Sequence, residues 1–387
     1  MFLRSLPNGS FFCAGFGEAG CKSLVRPMGG VLGCFVALET KAGRGGCGRE
    51  TGICGFDSDT PSACGGVVYY QNKYFLPREK KMVVKNWKRV LFAWIVAGVL
   101  SGLSLSRADA KTVEVLPNVF TIVHGEGSDS NTTFIITREG VIVIDTRVSP
   151  LEAEKVMAEI RKRTDLPIVY TINTHYHGEH TFGNQVFQDS KTLIAHKNVR
   201  RALLGLSGRE QLEKLKTSDI PGLDAVKVTP PNVVYEKKMD VYLGGYHLQL
   251  IHRGRGHTDG DTLIILQELR TVVAGDLIYN RQFPFMGDGY VDEWIDALQY
   301  LEDQDNELVI PGHGDVGGKP IIIAMKHYLL TLKGLVLEQV KKGQSLEKTK
   351  ETLRPVLQGK YKSWGKPERI DGNIEQAYLE YSFKEGL

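Results

Sequence analysis

Residues 174–181 read Thr-His-Tyr-His-Gly-Glu-His-Thr, which places four side chains able to ligate a metal, His175, His177, Glu179 and His180, within six positions. In an extended backbone alternate residues point the same way, so His175 and His177 can close on one ion. Gly178 lets the chain turn, so that Glu179 and His180 can face a second. Imidazole and carboxylate donors without a thiolate suit zinc first, with iron or manganese as alternatives. A single histidine in an apolar setting is usually an ordinary core residue. Three with a carboxylate at this density are read as a metal site. A divalent ion held there lowers the pKa of its bound water to ~7 and supplies hydroxide at neutral pH.

The motif needs a frame. Residues 166–173 (LPIVYTIN) form an apolar, β-branched run that reads as a buried strand, and 182–184 (FGN) are a turn signal. Upstream, residues 113–123 suit two short strands around Pro117-Asn118, residues 131–137 a third, and 141–144 (VIVI) a fourth that ends in Asp145. Residues 149–152 (SPLE) are a capping box with proline at the first helical position, and the helix they start keeps Ala153, Val156, Met157 and Ile160 on one face. Strand, helix and strand in succession imply a layered α/β architecture.

Downstream the pattern repeats. A strand is expected over 191–195, helix over 197–216, two or three strands over 233–251, and further strands over 262–266, 271–274 and 308–310. Several of these lead to another candidate ligand: His257 within 256–261 (GHTDGD), Asp276 after Gly275, and His313 within 311–314 (PGHG). Helices are expected over 291–303, 321–340, 346–353 and 374–383. All the candidates fall at the carboxyl ends of strands, the edge of an α/β sheet where sites are assembled.

These residues, in this order, resemble the metallo-β-lactamase superfamily of metallohydrolases: an aspartate after an early strand, H-x-H-x-D-H, then a histidine, an aspartate and a final histidine. The likeness covers about residues 113–314. It implies a four-layer αββα sandwich with two metals, zinc above all, at one edge of the sheets. By the same likeness His175, His177 and His257 would hold one ion, and Glu179, His180 and His313 the second. Asp276 would bridge them, as in the glyoxalase II branch. Asp145 would orient a ligand histidine, and His196 is the remaining histidine expected to support the ligands. The chain departs from the family in one place, carrying Glu179 where aspartate is usual. That adds a methylene, ~1.5 Å of reach, and could weaken the second site. Either Glu179 or Asp276 is placed to take up a proton from the nucleophile.

Composition bounds the rest. With 42% hydrophobic and 24% charged residues the 387-residue chain is ordinary for a soluble globular protein, and a net charge of +3 gives no argument for nucleic acid. All six cysteines, Cys13 to Cys64, lie upstream of the motifs. Residues 1–81 are glycine-rich and show no sustained period, so they are expected to be disordered or to lie upstream of the natural start. Residues 82–110 carry Lys85, Lys88 and Arg89, then an apolar run over 90–106, then Ala-Asp-Ala at 108–110. That is the order of a cleavable signal peptide. Cleavage after Ala110 would leave a periplasmic or secreted protein, touching the membrane only through that segment.

The expected partner is a small-molecule substrate. Residues 279–290 (YNRQFPFMGDGY) follow Asp276, and Arg281, Phe283 and Phe285 are the candidates for lining its pocket. The function expected is hydrolysis of a small carbonyl compound: a β-lactam, lactone, ester or thioester. Two alternatives are an iron-dependent, persulfide dioxygenase-like oxidoreductase and an inactive protein that binds metal or ligand.

Overall fold

The computed structural model describes residues 110–123, 130–190 and 192–386, together with strands at 2–5, 11–14, 22–28 and 31–37. The chain divides into two units, Met1–Ala97 and Gly98–Leu387. In the first, β1 (Phe2–Ser5), β2 (Phe11–Ala14), β3 (Lys22–Met28) and β4 (Val31–Ala37) pair antiparallel in chain order. These strands fall within 1–81, where the sequence shows no sustained period. Pairing between successive segments needs short connections more than it needs alternation. The expected signal segment over 82–110 lies, Ala110 apart, outside the described residues.

The second unit holds two sheets. β5 (Lys111–Leu116), β6 (Val119–Val123), β7 (Thr132–Ile136) and β8 (Val141–Ile144) form an antiparallel meander. β8 then pairs parallel with β9 (Ile168–Ile172), β9 with β10 (Leu193–His196), and β10 with β11 (Val233–Tyr235), completing seven strands. The other sheet runs in order β12 (Lys238–Leu243), β13 (Tyr246–Ile251), β14 (Leu263–Leu266), β15 (Thr271–Tyr279), β16 (Leu308–His313). Only its last pair is parallel.

Apolar side chains from the facing sheets meet: Ile142, Ile144, Ile172 and Ile194 from one, Leu248, Leu250, Ile264, Val273 and Ile310 from the other. Strands buried on both faces read as continuous apolar runs. The outer face of the seven-stranded sheet is covered by α1 (Pro150–Arg161), whose Ala153, Val156 and Ile160 join Val141 and Val143. Ser149 caps that helix through its hydroxyl, as the capping box requires. The outer face of the other sheet is covered by α5 (Val291–Asp303), α6 (Lys319–Lys341), α7 (Leu346–Lys360) and α8 (Ile370–Glu385). The chain therefore has the αββα layering expected. Among the described residues α6 is the one helix long and apolar enough to cross a membrane, but its Leu329, Leu332 and Val336 are fully buried in this layer.

Two local expectations change. The helix expected over 197–216 is two, α3 (Lys197–Leu204) and α4 (Leu206–Lys216), broken where Gly205 is extended. The strand expected to stop at 274 runs to Tyr279 with every residue buried, so Asp276 lies inside β15.

Candidate metal centre

Two groups of ligand-type atoms converge where β9, β15 and β16 meet the sandwich edge. Those of His175, His177, His257 and Asp276 lie within 4.8 Å of one another, as do those of Glu179, His180, Asp276 and His313. Asp276 belongs to both groups. β9 leads into the first histidines, and the expected loop is instead a single helical turn, α2 (Gly178–Thr181), which swings Glu179 and His180 round.

Asp276 reaches the centre because β15 is irregular there. Gly275 has φ +53 and the β15–β16 register shifts on either side of it. A Cβ on Gly312 of the neighbouring strand would lie 1.9 Å from Asp276 Oδ1, so only glycine fits opposite this carboxylate. Asp276 Oδ1 is 3.1 Å from His180 Nε2, and Oδ2 is 3.2 Å from His313 Nε2 and 3.5 Å from His257 Nε2. Tyr279 donates its hydroxyl to Asp276 Oδ2 and stacks on His313, with ring centroids 4.8 Å apart.

Four histidines have the nitrogen that does not serve the centre engaged elsewhere. His175 Nδ1 meets Thr174 Oγ1 at 3.1 Å, and His180 Nδ1 donates to Asp145 at 2.8 Å. His257 Nδ1 donates to the Phe285 carbonyl at 3.0 Å, and His177 Nε2 to Asp288 at 2.9 Å. Such outer partners fix ring orientation and tautomer, leaving the other nitrogen as the ligand. His177 Nδ1 accordingly lies 2.9 Å from His257 Nε2.

The inner atoms carry the complementary signature. His175 Nε2, His180 Nε2, His313 Nε2 and Asp276 Oδ1 are buried and find no hydrogen-bond partner outside the cluster they form with one another. Buried polar atoms left unpaired are costly, and four gathered in two ligand groups that share Asp276 fit cations. Burial would push the Asp276 carboxyl up, but His313, His180 and His175 outweigh it and hold the group well below the usual carboxylate range. Burial pushes the His257 imidazole down to about 3, assisted by His177, and likewise holds His175 well below its ordinary value. Both are thus neutral donors at neutral pH. The donor set fits a divalent metal.

The strand-end segment 145–147 clamps the ligand turn. Asp145 accepts from Thr174 N and Thr174 Oγ1 as well as His180. Thr146 donates through both N and Oγ1 to the His180 carbonyl. The Arg147 guanidinium, fully buried and pushed down to about 9 by that burial, donates to the carbonyls of Ser130 and Ile122. Ser130 Oγ donates in turn to the Glu179 carbonyl at 2.6 Å. Asp145 and Arg147 both have positive φ, +61 and +76, strain of the kind that accumulates at functional sites.

Not every predicted residue joins the site. His196 is a correction: it caps α3, receiving Asn198 N, bonds the Glu236 carbonyl and stacks on His252. Its place at the end of β10 turns it away from the centre. Phe283 is also a correction, being buried against Tyr328, Tyr361 and Trp364 under the helical layer. Arg281 is exposed with φ +56, its carbonyl holding Gly365 N. Phe285, 37% exposed, stands beside the centre, its ring 5.6 Å from that of His177. Sequence reasoning missed Thr174, Tyr279, Asp288, Arg147 and Ser130. The usable signal was their closeness in sequence to ligands, and for Asp288 its place between Gly287 and Gly289.

The fold and the paired ligand groups define a metal-binding αββα sandwich. Residues 125–313 match the family model described as the metallo-beta-lactamase superfamily, and the chain carries a domain of that superfamily. The metallo-beta-lactamase type 2 of Bacillus cereus is 22% identical over 204 residues, spanning 51% of this chain and 72% of that protein. That of Elizabethkingia meningoseptica is 18% identical over 241 residues, 59% of this chain and 89% of that protein. Among solved structures, the stereoselective inverting sec-alkylsulfatase Pisa1 from Pseudomonas sp. aligns with a TM-score of 0.54 at 18% identity, covering 71% of this chain and 50% of that one. This last likeness is one of fold. Family and relatives together support a metal-dependent hydrolase in general terms.

Proposed function

We propose that this protein is a zinc hydrolase with two metal positions, acting on a small carbonyl substrate such as a lactone, ester, thioester or β-lactam. The observation that carries the reading is the gathering of four buried atoms, His175 Nε2, His180 Nε2, His313 Nε2 and Asp276 Oδ1, with no hydrogen-bond partner outside their cluster, in two ligand groups sharing Asp276. His175, His177 and His257 with Asp276 would hold one ion, and Glu179, His180 and His313 with Asp276 the other. When bound, such ions lower the pKa of a coordinated water to ~7 and polarise a carbonyl oxygen.

The chain's own residues do the remainder. Asp276, held anionic, spans both groups, and Tyr279 keeps its carboxylate oriented through the phenolic hydroxyl. Burial and the neighbouring Asp276 keep that phenol protonated, so it serves as a donor. Glu179, only partly buried, is placed to take a proton at its carboxylate as the nucleophile attacks. Phe285 beside His177 screens one flank of the centre from water.

Residues 82–110 would direct export, with the mature chain starting at Lys111. N-terminal sequencing of the processed protein tests that point, and a start elsewhere overturns it. For the reaction, elemental analysis after purification without chelator should find about two zinc ions per chain, with hydrolysis of some member of a lactone, ester, thioester and β-lactam panel abolished by chelation and restored by zinc. About one iron per chain and no hydrolysis would instead favour oxidative sulfur chemistry.

A further inference from the structure

Ser130 and Asn131 stand just ahead of β7, and both are buried. Asn131 directs three donors to the segment that carries His313. Its backbone N–H meets the Gly312 carbonyl at 2.7 Å, and its side-chain amide meets the carbonyls of Pro311 at 3.0 Å and Gly314 at 2.8 Å. The one carbonyl left in that segment, that of His313, accepts from Asn280 N at 2.9 Å. All four carbonyls of 311–314 are therefore held, across a left-handed turn in which Gly314 has φ +87. Ser130 faces the other way. Its hydroxyl donates to the Glu179 carbonyl at 2.6 Å, and its own carbonyl is gripped by the buried Arg147 guanidinium, which also holds the Ile122 carbonyl at 3.1 Å.

Glu179 and His313 belong to the same ligand group but come from different sheets. Their backbones are anchored on adjacent residues, whose Cα atoms lie ~3.8 Å apart across a planar peptide. The spacing of the two ligands cannot drift without breaking a buried hydrogen bond, and a buried carbonyl stripped of its donor is costly. Glu179 also has one more rotatable bond than aspartate, so it delivers its carboxylate to a fixed point only from a fixed backbone. We propose that Ser130 and Asn131 are positioning residues: together they brace the Glu179 and His313 backbones at the separation that lets both side chains meet one ion, and so set the affinity of that metal position rather than of its neighbour. The inference rests on the two-metal reading for the ion only; the brace itself is a property of the metal-free fold.

The test uses the full chain with zinc as the probe. Competition against a chromophoric chelator gives the stepwise affinities, and Glu179→Gln, which removes a ligand of this position alone, marks the step that belongs to it. Ser130→Ala and Asn131→Ala should each weaken that step by about tenfold or more and leave the other within about threefold. Because both act through one brace, the double variant should bind no more than about twofold more weakly than the worse single one, where independent effects would multiply. Equal losses at both steps, multiplied losses in the double variant, or unchanged affinity overturns the proposal. Urea midpoints in excess chelator show whether each variant folds, and Ser130→Ala, which deletes one oxygen, carries the test should Asn131→Ala not fold. Amide hydrogen exchange of the metal-free protein separates this outcome from failure of the two-metal reading. Each variant should speed exchange in the segment held by the other residue as well as in its own, 178–182 for Ser130 and 311–314 for Asn131. Changes confined to a residue's own segment overturn the brace. Coupled exchange in a protein that takes up a single ion keeps the brace and loses only the two-metal reading.

Discussion

Asp145 Oδ2 lies 2.8 Å from His180 Nδ1, while the far nitrogen of the same ring lies 3.1 Å from Asp276 Oδ1. One imidazole is thus strung between two carboxylates, and their charges outweigh burial to hold it well above its ordinary pKa. A metal held at the inner nitrogen would take the place of that proton, with Asp145 keeping the outer one. Asp145→Asn should therefore weaken metal binding at the Glu179, His180 and His313 group by about 10–100-fold. Competition against a chromophoric chelator measures this, and unchanged affinity would show that Asp145 does not position the ligand.

Asp276 is shared by both groups, so its loss cannot be confined to one. Asp276→Asn should lower metal content at both positions and reduce kcat/KM by at least about a thousandfold. Elemental analysis that still found full occupancy at one group would contradict the shared role.

Glu179 already reaches its group despite the extra methylene, which makes two variants informative. Glu179→Gln should lower affinity for the second ion by about tenfold or more, whereas Glu179→Asp should change kcat/KM by less than about threefold. A rise of about a hundredfold in the aspartate variant would mean that the parent binds metal without efficient chemistry.

Gly312 faces Asp276 so closely that any side chain must displace it. Gly312→Ala should cost more metal affinity than its effect on the chelator-treated fold would suggest. Urea midpoints in excess chelator, set beside metal titrations, separate the two effects; equal losses in both would point to general destabilisation.

His196 gives a pH prediction away from the metal. Burial and the stacked His252 push its imidazole down to about 4. Between its ordinary value near 6.5 and about 4, the unfolded chain binds a proton that the folded chain resists, so stability falls as pH falls through that window. Full burial would make the loss about 3 kcal/mol, and screening reduces it to about 1–2. His196→Asn keeps a capping oxygen but removes the titration, so its urea midpoint in chelator should fall less than the parent's between pH 7 and pH 4.5.

The ligand set was legible in the sequence because histidine at such density has few other uses, and because strand ends and flanking glycines mark where backbone can approach an ion. The layering was legible too, since VIVI at 141–144 and IVYTI at 168–172 are short, β-branched apolar runs bounded by turn signals, the pattern of sheet strands with little exposure. What escaped notice depended on direction rather than type. Phe283 and Phe285 are two residues apart in one loop, yet one lies under the helices and the other beside His177. Arg147 looks like a surface cation until its left-handed backbone turns it inward to Ser130. Asp288 is an isolated acid in a glycine-rich turn, and nothing local says that a histidine 111 residues earlier will meet it.

The ligands are divided between the sheets. His175, His177, Glu179 and His180 follow a strand of the seven-stranded sheet, while His257, Asp276 and His313 belong to the five-stranded one. Neither half can complete a coordination shell alone, so an ion acts as a clasp that closes only when the two slabs have met in register. Its binding energy is then added to the native assembly and to no half-built intermediate. For a chain synthesised from the amino end, His175 and His177 must wait for Asp276 to emerge, and Glu179 and His180 for His313, which would make metal capture a late event of folding and its loss an early warning that the slabs have begun to part.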